Sequence, residues 1–259
     1  MWTIVLTVAL LCCSSEGSVT CRNQNNDEVD WYIIYKVPRL QREGFTGLEY
    51  LYVDPAGQEP MQAINDPNGV IANTLRPLLM PIRKMPEKFG FISYSDQPPG
   101  CSANPRFGHG KGVVMVDKTS TEAPGVWLLH STPQFPFRRD QNNFWPPNGE
   151  KHAQTFMCVT FKYNQFASIG KHLQYIGAFP FEYYIPSDFH QELIDATNWV
   201  QVTPPKPSQP LKSRGGQEFY SFAKQKSEDP EVGDLYVTIA KEVHSNLKAQ
   251  TWGCQKDCM

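Results

Sequence analysis

The chain has 259 residues, of which 40% are hydrophobic, 19% charged and 12% aromatic. This composition is typical of globular proteins and excludes a disordered or collagen-like chain. The 24 Lys and Arg residues are balanced by 26 Asp and Glu residues, which gives a net charge of −2 at pH 7. The chain therefore lacks the basic excess that by itself indicates a nucleic-acid-binding protein, and any polyanion would have to be held by a local site.

The first 17 residues are predicted to form a secretory signal peptide, because a short apolar run ends in small residues. A buried strand or an uncleaved anchor remains the alternative. The run is too short to span a bilayer, and no later run approaches a membrane span, so no membrane association is expected. Two of the seven cysteines lie in this segment. In an oxidising compartment the other five would form disulfides and leave one thiol over; they are Cys21, Cys101, Cys158, Cys254 and Cys258.

The hydrophobic pattern predicts five strands, at 29–37, 89–94, 111–117, 125–131 and 155–163. Helices are predicted at 69–79, 165–175, 187–196 and 231–248. The link between the third and fourth strands fits a hairpin or a short crossover. The last helix carries its apolar residues on one face and is expected to dock on a sheet. Prolines predict a loop at 203–216, and the mixture of elements favours an α/β or α+β fold class.

His109 and Lys111 stand at the entry to the third predicted strand, in the sequence FGHGKG at 107–112. Alternate residues of an extended chain point to the same side, so the two side chains can face one ligand. Phosphodiester chemistry needs an imidazole as nucleophile or proton carrier and a fixed cation on the phosphate oxygens. Flanking glycines would let a phosphate come close. Because His-x-Lys also occurs by chance, a surface turn without a role remains the alternative.

His130 ends the fourth predicted strand. It would lie beside His109 and Lys111 if the third and fourth strands are neighbours in the sheet. A buried, hydrogen-bonded structural histidine is an equally open alternative. Four other histidines lie on polar or helical stretches and are expected to be solvated or to cap helices: His152, His172, His190 and His244.

Other chemical motifs are absent from the sequence. The dinucleotide fingerprint, the P-loop and the nucleophile elbow do not occur. Cys254 and Cys258 form a lone pair without the second pair that a zinc site needs. No metal and no cofactor are therefore expected. Trp127 and Trp145 are expected to anchor the core and a loop rather than to stack on nucleobases.

Seven segments follow one another along the chain as VDWYIIYKVP at 29–38, GLEYLY at 47–52, YSDQPP at 94–99, GHGKG at 108–112, VWLLHSTPQFP at 126–136, CVTF at 158–161 and FYSFAK at 219–224. In residues and order they resemble the deoxyribonuclease II family. Two further segments, YNQF at 163–166 and FHQELI at 189–194, are more similar to its beta paralogue than to the alpha one.

This resemblance implies a phospholipase D-like α/β fold with a mixed sheet flanked by helices. In such a fold two pseudo-symmetric halves each bring one His-x-Lys to a shared cleft. Residues 18–163 would form a complete N-terminal half, and residues 164–259 an incomplete C-terminal half. This sequence contains one His-x-Lys, whereas the family carries a second pair further on. A C-terminally truncated chain with half of the active site missing is therefore expected.

The resemblance also implies a lysosomal or secreted endonuclease that works in acid without metal and leaves 3′-phosphate and 5′-hydroxyl ends on DNA. His109 and Lys111 match the first catalytic pair, and His130 matches a histidine beside the cleft. Cys21 and Cys158 match a family disulfide. The alternative is a catalytically inactive truncated form that binds DNA or modulates a full-length relative. A monomer is expected rather than a homodimer in which two His-x-Lys motifs meet.

Overall fold

The computed structural model describes residues 18–200, 202, 208–224 and 235–248. The predicted signal segment lies outside these residues, as do Cys254 and Cys258. The described strands are β1 (Cys21–Arg22), β2 (Glu28–Val29), β3 (Trp31–Lys36), β4 (Glu49–Asp54), β5 (Gly57–Ala63), β6 (Phe89–Ser95), β7 (Lys111–Asp117), β8 (Pro124–His130), β9 (Gln154–Lys162), β10 (Pro180–Tyr184), β11 (Ser208–Lys212) and β12 (Glu218–Phe222). The described α-helices are α1 (Val70–Leu75), α2 (Phe166–Ile176), α3 (Gln191–Thr197) and α4 (Leu235–Glu242).

Eight strands form one large sheet in the order β10-β6-β7-β8-β9-β3-β4-β5. Helices and a large sheet together confirm an α/β architecture. The expected mixed sheet is not found, because every pairing in this sheet is antiparallel. Strands β6 to β9 follow one another through loops that reverse the chain, and such connections give antiparallel neighbours. The link between β7 and β8 is accordingly a hairpin and not a crossover.

The predicted strands agree with β3 and β6 to β9 to within two residues at each end, and 111–117 coincides with β7. Strands β6, β7 and β8 are apolar along their length because both sheet faces are covered there. Strand β3 buries one face only, and Ile33 on its other face is 41% exposed. The edge strand β5 was missed, because its sequence GQEPMQA is polar and none of its residues is buried. Pairing with β4, rather than burial, holds this strand in place.

Side-chain alternation divides the core between the two faces of the sheet. One face carries Tyr32, Ile34 and Phe156 and is packed against α1. The opposite face carries Trp127 and Phe161 and is covered by α2 and α3. The sheet is therefore buried on both sides over its central strands, which fixes the register of their ends.

A buried disulfide joins Cys21 to Cys158, which confirms the pairing implied by the family resemblance. It ties β1 to β9 across 137 residues of sequence. Cys101 is exposed and unpaired within the described part of the chain.

The segment 203–216 and the last helix differ from expectation. Residues 208–212 form β11 rather than a loop, since Pro210 is accommodated in a hairpin with β12. Helix α4 buries none of its residues, and Tyr236 is 49% exposed. It contacts β11 through a hydrogen bond that the Ser208 hydroxyl donates to Glu242. Helical spacing shows which residues share a face, but it does not show how deeply that face is buried. No helix in the described ranges is long and apolar enough to cross a membrane.

Candidate active site

The predicted site residues lie at one end of the central strands of the sheet, where β6 and β8 end and β7 begins. Strand β6 ends at Ser95, whose register partner is Lys111, the first residue of β7. Strands β7 and β8 pair up to Gly112 and Leu129, so that Lys111 and His130 are the next residues across from each other. The antiparallel register thus places residues that are distant in sequence next to one another at the same end of these strands.

One carboxylate holds the predicted catalytic pair. Asp96 follows β6 directly, and its Oδ2 lies 2.7 Å from Nδ1 of His109. Its Oδ1 accepts a hydrogen bond of 2.6 Å from Nζ of Lys111. The His109 side chain is 86% exposed, whereas that of Lys111 is only 5% exposed. The exposed imidazole of His109 and the buried ammonium of Lys111 therefore contact the two oxygens of the same carboxylate, that of Asp96.

The protonation pattern of His109 follows from this geometry. Burial raises the pKa of Asp96, but hydrogen bonds and charges from Lys111 and His109 outweigh that effect and hold the pKa below its usual value. The carboxylate is thus ionised and can only accept hydrogen bonds. Nδ1 of His109 must then carry the proton in this contact. In the neutral ring Nε2 keeps its lone pair and is free to act as a nucleophile or base.

Asp96 was not assigned a role from the sequence, although it lies in the YSDQPP segment. It precedes His109 by 13 residues, and no spacing rule connects the two. The available signal was a carboxylate placed immediately after a fully buried strand. Only the pairing of β6 with β7 brings that carboxylate to the histidine.

His130 lies beneath the surface of the site. Its ring stacks on Phe156 at a centroid distance of 5.6 Å and meets Phe135 edge-on at 4.9 Å. Neither ring nitrogen makes a well-formed hydrogen bond with a described residue. The expected alternative was a buried and hydrogen-bonded structural histidine; His130 is buried, but the hydrogen bonds are not found. Burial, reinforced by the charge of Lys111 and weakly opposed by the Thr132 backbone, lowers the pKa of His130 to about 3.

The glycines around His109 were expected to leave room for a phosphate, but two of the three are instead required by close packing against neighbouring residues. A Cβ at Gly108 would overlap the carbonyl oxygen of Ile176, and a Cβ at Gly112 would overlap the ring of Tyr94. Both positions require close approach of the backbone to a neighbouring element. Only Gly110 has room, since its nearest neighbour, Cδ1 of Ile176, would lie 3.4 Å away.

The remaining histidines lie outside this site. His152 and His244 are exposed, as expected. His190 immediately precedes α3, but its side chain does not cap the helix. The expectation for His172 is wrong: it is buried, its Nε2 lies 2.9 Å from the Ser221 hydroxyl, and burial lowers its pKa to about 4. Its position on the inner face of α2 explains the burial.

Trp127 is buried, as expected, and Trp145 packs against the core. Among the residues that the structure describes, no group of three or more His, Cys, Asp or Glu side chains is placed to hold a metal ion.

The chain matches the family model for deoxyribonuclease II over residues 20–259. It is 32% identical over 248 residues to human deoxyribonuclease-2-beta, an alignment that covers 91% of this chain and 67% of the relative. Mouse deoxyribonuclease-2-alpha is 34% identical, with 96% and 71% covered. Plancitoxin-1 of Acanthaster planci is 33% identical, with 96% and 70% covered. The chain thus spans about two thirds of the length of these relatives, and it belongs to the deoxyribonuclease II family.

Proposed function

We propose that this chain is a deoxyribonuclease II-type acid endonuclease that cuts DNA without metal or cofactor and leaves 3′-phosphate and 5′-hydroxyl ends. Membership of the family supports a nuclease with DNA as its substrate. We assign this activity to the His109 site on one observation: the carboxylate of Asp96 contacts both the exposed imidazole of His109 and the ammonium of Lys111.

In the proposed reaction Nε2 of His109 attacks phosphorus in line with the departing 5′ oxygen. A phosphorus–nitrogen bond forms as the phosphorus–oxygen bond breaks, and the leaving oxygen takes a proton from a second histidine. Water then cleaves the phosphohistidine and releases the 3′-phosphate end. Lys111 adds positive charge near the phosphate oxygens, where charge builds up in the transition state.

An acid optimum follows from the two roles, because one imidazole must be neutral and the other protonated, and free imidazole titrates near pH ~6.5. His130 does not suit the role of proton donor. It is buried, and a pKa of about 3 keeps it neutral in mild acid. In this proposal His130 lies beneath the site and does not transfer the proton. The donor is the histidine of a second His-x-Lys, which residues 1–259 do not contain, so these residues supply the nucleophile and its cation and the reaction needs the second pair in addition. The division into halves at 18–163 and 164–259 is part of the same proposal.

The decisive test is nicking of supercoiled plasmid in EDTA at about pH 5, in the acid range that the two imidazole roles predict. We expect nicking when both histidine pairs are present, and its loss in His109→Ala. His152→Ala is the matched control, because it removes an exposed histidine outside the site. Nicking that survives His109→Ala contradicts the assignment of the site, and nicking that requires added metal contradicts the mechanism.

The alternative function is a catalytically inactive form that binds DNA or modulates a full-length relative. The sequence holds one His-x-Lys, and His130, the next histidine along the chain, is buried and has a lowered pKa of about 3 that keeps it neutral. A protein that retards DNA with a steep dependence on salt, but never nicks it, would support this alternative.

The proposal extends to assembly and location. A monomer is proposed, and gel filtration of active protein that elutes as a dimer would contradict it. Lysosomal or secreted location is proposed from the family, and the buried disulfide suits an oxidising compartment. Fractionation of cells that express the tagged chain tests this, and recovery in the cytosol would contradict it.

A further inference from the structure

Three aromatic rings form a cluster beside the candidate active site. The centroid of Phe107 lies 4.8 Å from that of Phe179 and 5.5 Å from that of Trp199, and Phe179 lies 6.2 Å from Trp199. Trp199 is 51% exposed, and the other two rings are half-buried. A large aromatic surface is therefore open to solvent while its edges are held by neighbouring rings.

The cluster is attached to the site from two directions. Phe107 precedes His109 by two residues, so their Cα atoms are at most about 7.6 Å apart. The carbonyl of Phe179 accepts a hydrogen bond of 2.9 Å from the backbone N–H of Ser95. Ser95 is the residue before Asp96, which orients His109. The aromatic surface and the imidazole thus share one rigid support.

Trp199 is held in a strained backbone conformation. Its φ is +61°, in the left-handed region, where a residue other than glycine costs free energy. It follows the end of α3, a position at which glycine ends many helices at lower cost. Core packing does not account for a tryptophan here, because half of its surface remains exposed. Strained residues concentrate at ligand-binding sites, where the strain positions a side chain.

A cation completes the surface. The guanidinium carbon of Arg106 lies 5.4 Å from the centre of the Phe107 ring. Arg106 is exposed and forms no ion pair with any described residue. Aromatic surfaces next to an arginine bind single-stranded nucleic acid by stacking on the bases and attracting the phosphates.

We propose that Trp199, supported by Phe107 and Phe179, stacks on an unpaired nucleobase of the DNA strand whose phosphate reaches His109. Arg106 holds a neighbouring phosphate. This inference rests on the proposed function, since it takes DNA as the ligand of the His109 site. A base inside a duplex cannot present its face to a side chain, so the cluster favours single-stranded or locally opened DNA.

The test measures binding in a His109→Ala background, which prevents cleavage. Fluorescence anisotropy compares a labelled single-stranded thymidine oligonucleotide with the same oligonucleotide carrying abasic residues. Adding Trp199→Ala is expected to raise the Kd for the thymidine probe roughly 5- to 150-fold, the range reported for loss of one stacked base. Binding of the abasic probe should be unchanged, and Trp199→Phe should restore most of the affinity.

Two variants control for folding and for general loss of aromatic surface. Trp199→Gly removes the ring at a position whose φ suits glycine, so relief of backbone strain partly offsets the lost ring contacts, and the folded variant should lose the same affinity. Tyr220→Ala removes an equally exposed aromatic ring from β12 and should bind both probes as before. Equal weakening of both probes by Trp199→Ala, or none, would overturn the proposal, as would Trp199-dependent self-association in gel filtration.

The outcomes separate this inference from the proposed function. If plasmid nicking depends on His109 but Trp199 makes no difference to base binding, the stacking proposal fails and the nuclease stands. If base binding depends on Trp199 but the intact protein never nicks DNA, the stacking proposal stands and the nuclease fails. If the protein neither nicks nor binds DNA, both fail.

Discussion

Lys111 donates a hydrogen bond of 2.6 Å to Asp96, and its side chain is almost completely buried. A buried ammonium needs such a partner, because an unpaired charge away from water is costly. The same carboxylate binds His109. Asp96 therefore couples the position of the cation to the orientation of the exposed imidazole.

Replacing Asp96 by Asn should lower kcat by up to about 10⁴-fold, the loss that follows when the carboxylate orienting a catalytic histidine becomes an amide. The amide can donate to Nδ1 and so favour the wrong tautomer of His109, while KM should change little. Plasmid nicking rates against DNA concentration give kcat and KM separately. Asp140→Asn, at an exposed carboxylate, is the control. A change in KM alone would contradict an orienting role.

The buried His130 should make the fold less stable in acid. Its pKa is about 3 in the folded protein, against about 6.5 when unfolded. Below pH ~6.5 the unfolded chain therefore binds a proton that the folded chain does not, and stability falls as pH decreases towards 3. His130→Leu should remove about 2 kcal/mol of the stability difference between pH 7 and pH 5.

Urea unfolding at the two pH values measures this difference. The exposed His152→Leu is expected to keep the full pH dependence of the intact protein. If His130→Leu also keeps it, His130 titrates normally and the buried, neutral state is wrong.

The two types of glycine near His109 should respond differently to alanine. Gly108→Ala forces a methyl group into the Ile176 carbonyl, and such overpacking typically costs about 1–3 kcal/mol. Gly110→Ala meets only side-chain atoms of Ile176 and Tyr94, both at ordinary contact distance, and should change stability by less than about 0.5 kcal/mol. Thermal unfolding of both variants tests the contrast, and equal melting temperatures would contradict the packing role of Gly108.

Loss of the disulfide should destabilise the protein strongly. Cys158→Ser frees a loop of 137 residues, and removal of a native disulfide typically costs about 2–5 kcal/mol. Cys101→Ser is the matched control because Cys101 is exposed and unpaired in the described structure, and it should melt like the intact protein. A similar loss in both variants would indicate a different pairing.

The sequence by itself determined the central strands, because a strand buried on both faces must be apolar along its length, as in β6 and β7. It also determined the family, through ordered segments, and it singled out His109 and Lys111, since a local His-x-Lys spacing is visible in one dimension. The Cys21–Cys158 disulfide was predicted by the same resemblance.

Only the tertiary structure decided what surrounds that pair. Asp96 reaches His109 through the register of β6 and β7, and Trp199 meets Phe107 from the far end of α3. His130 is buried among aromatic rings because the end of β8, the loop after it with Phe135, and β9 with Phe156 come together. Contacts of this kind join residues with no fixed spacing along the chain. They follow from strand register and packing, which local residue patterns do not specify.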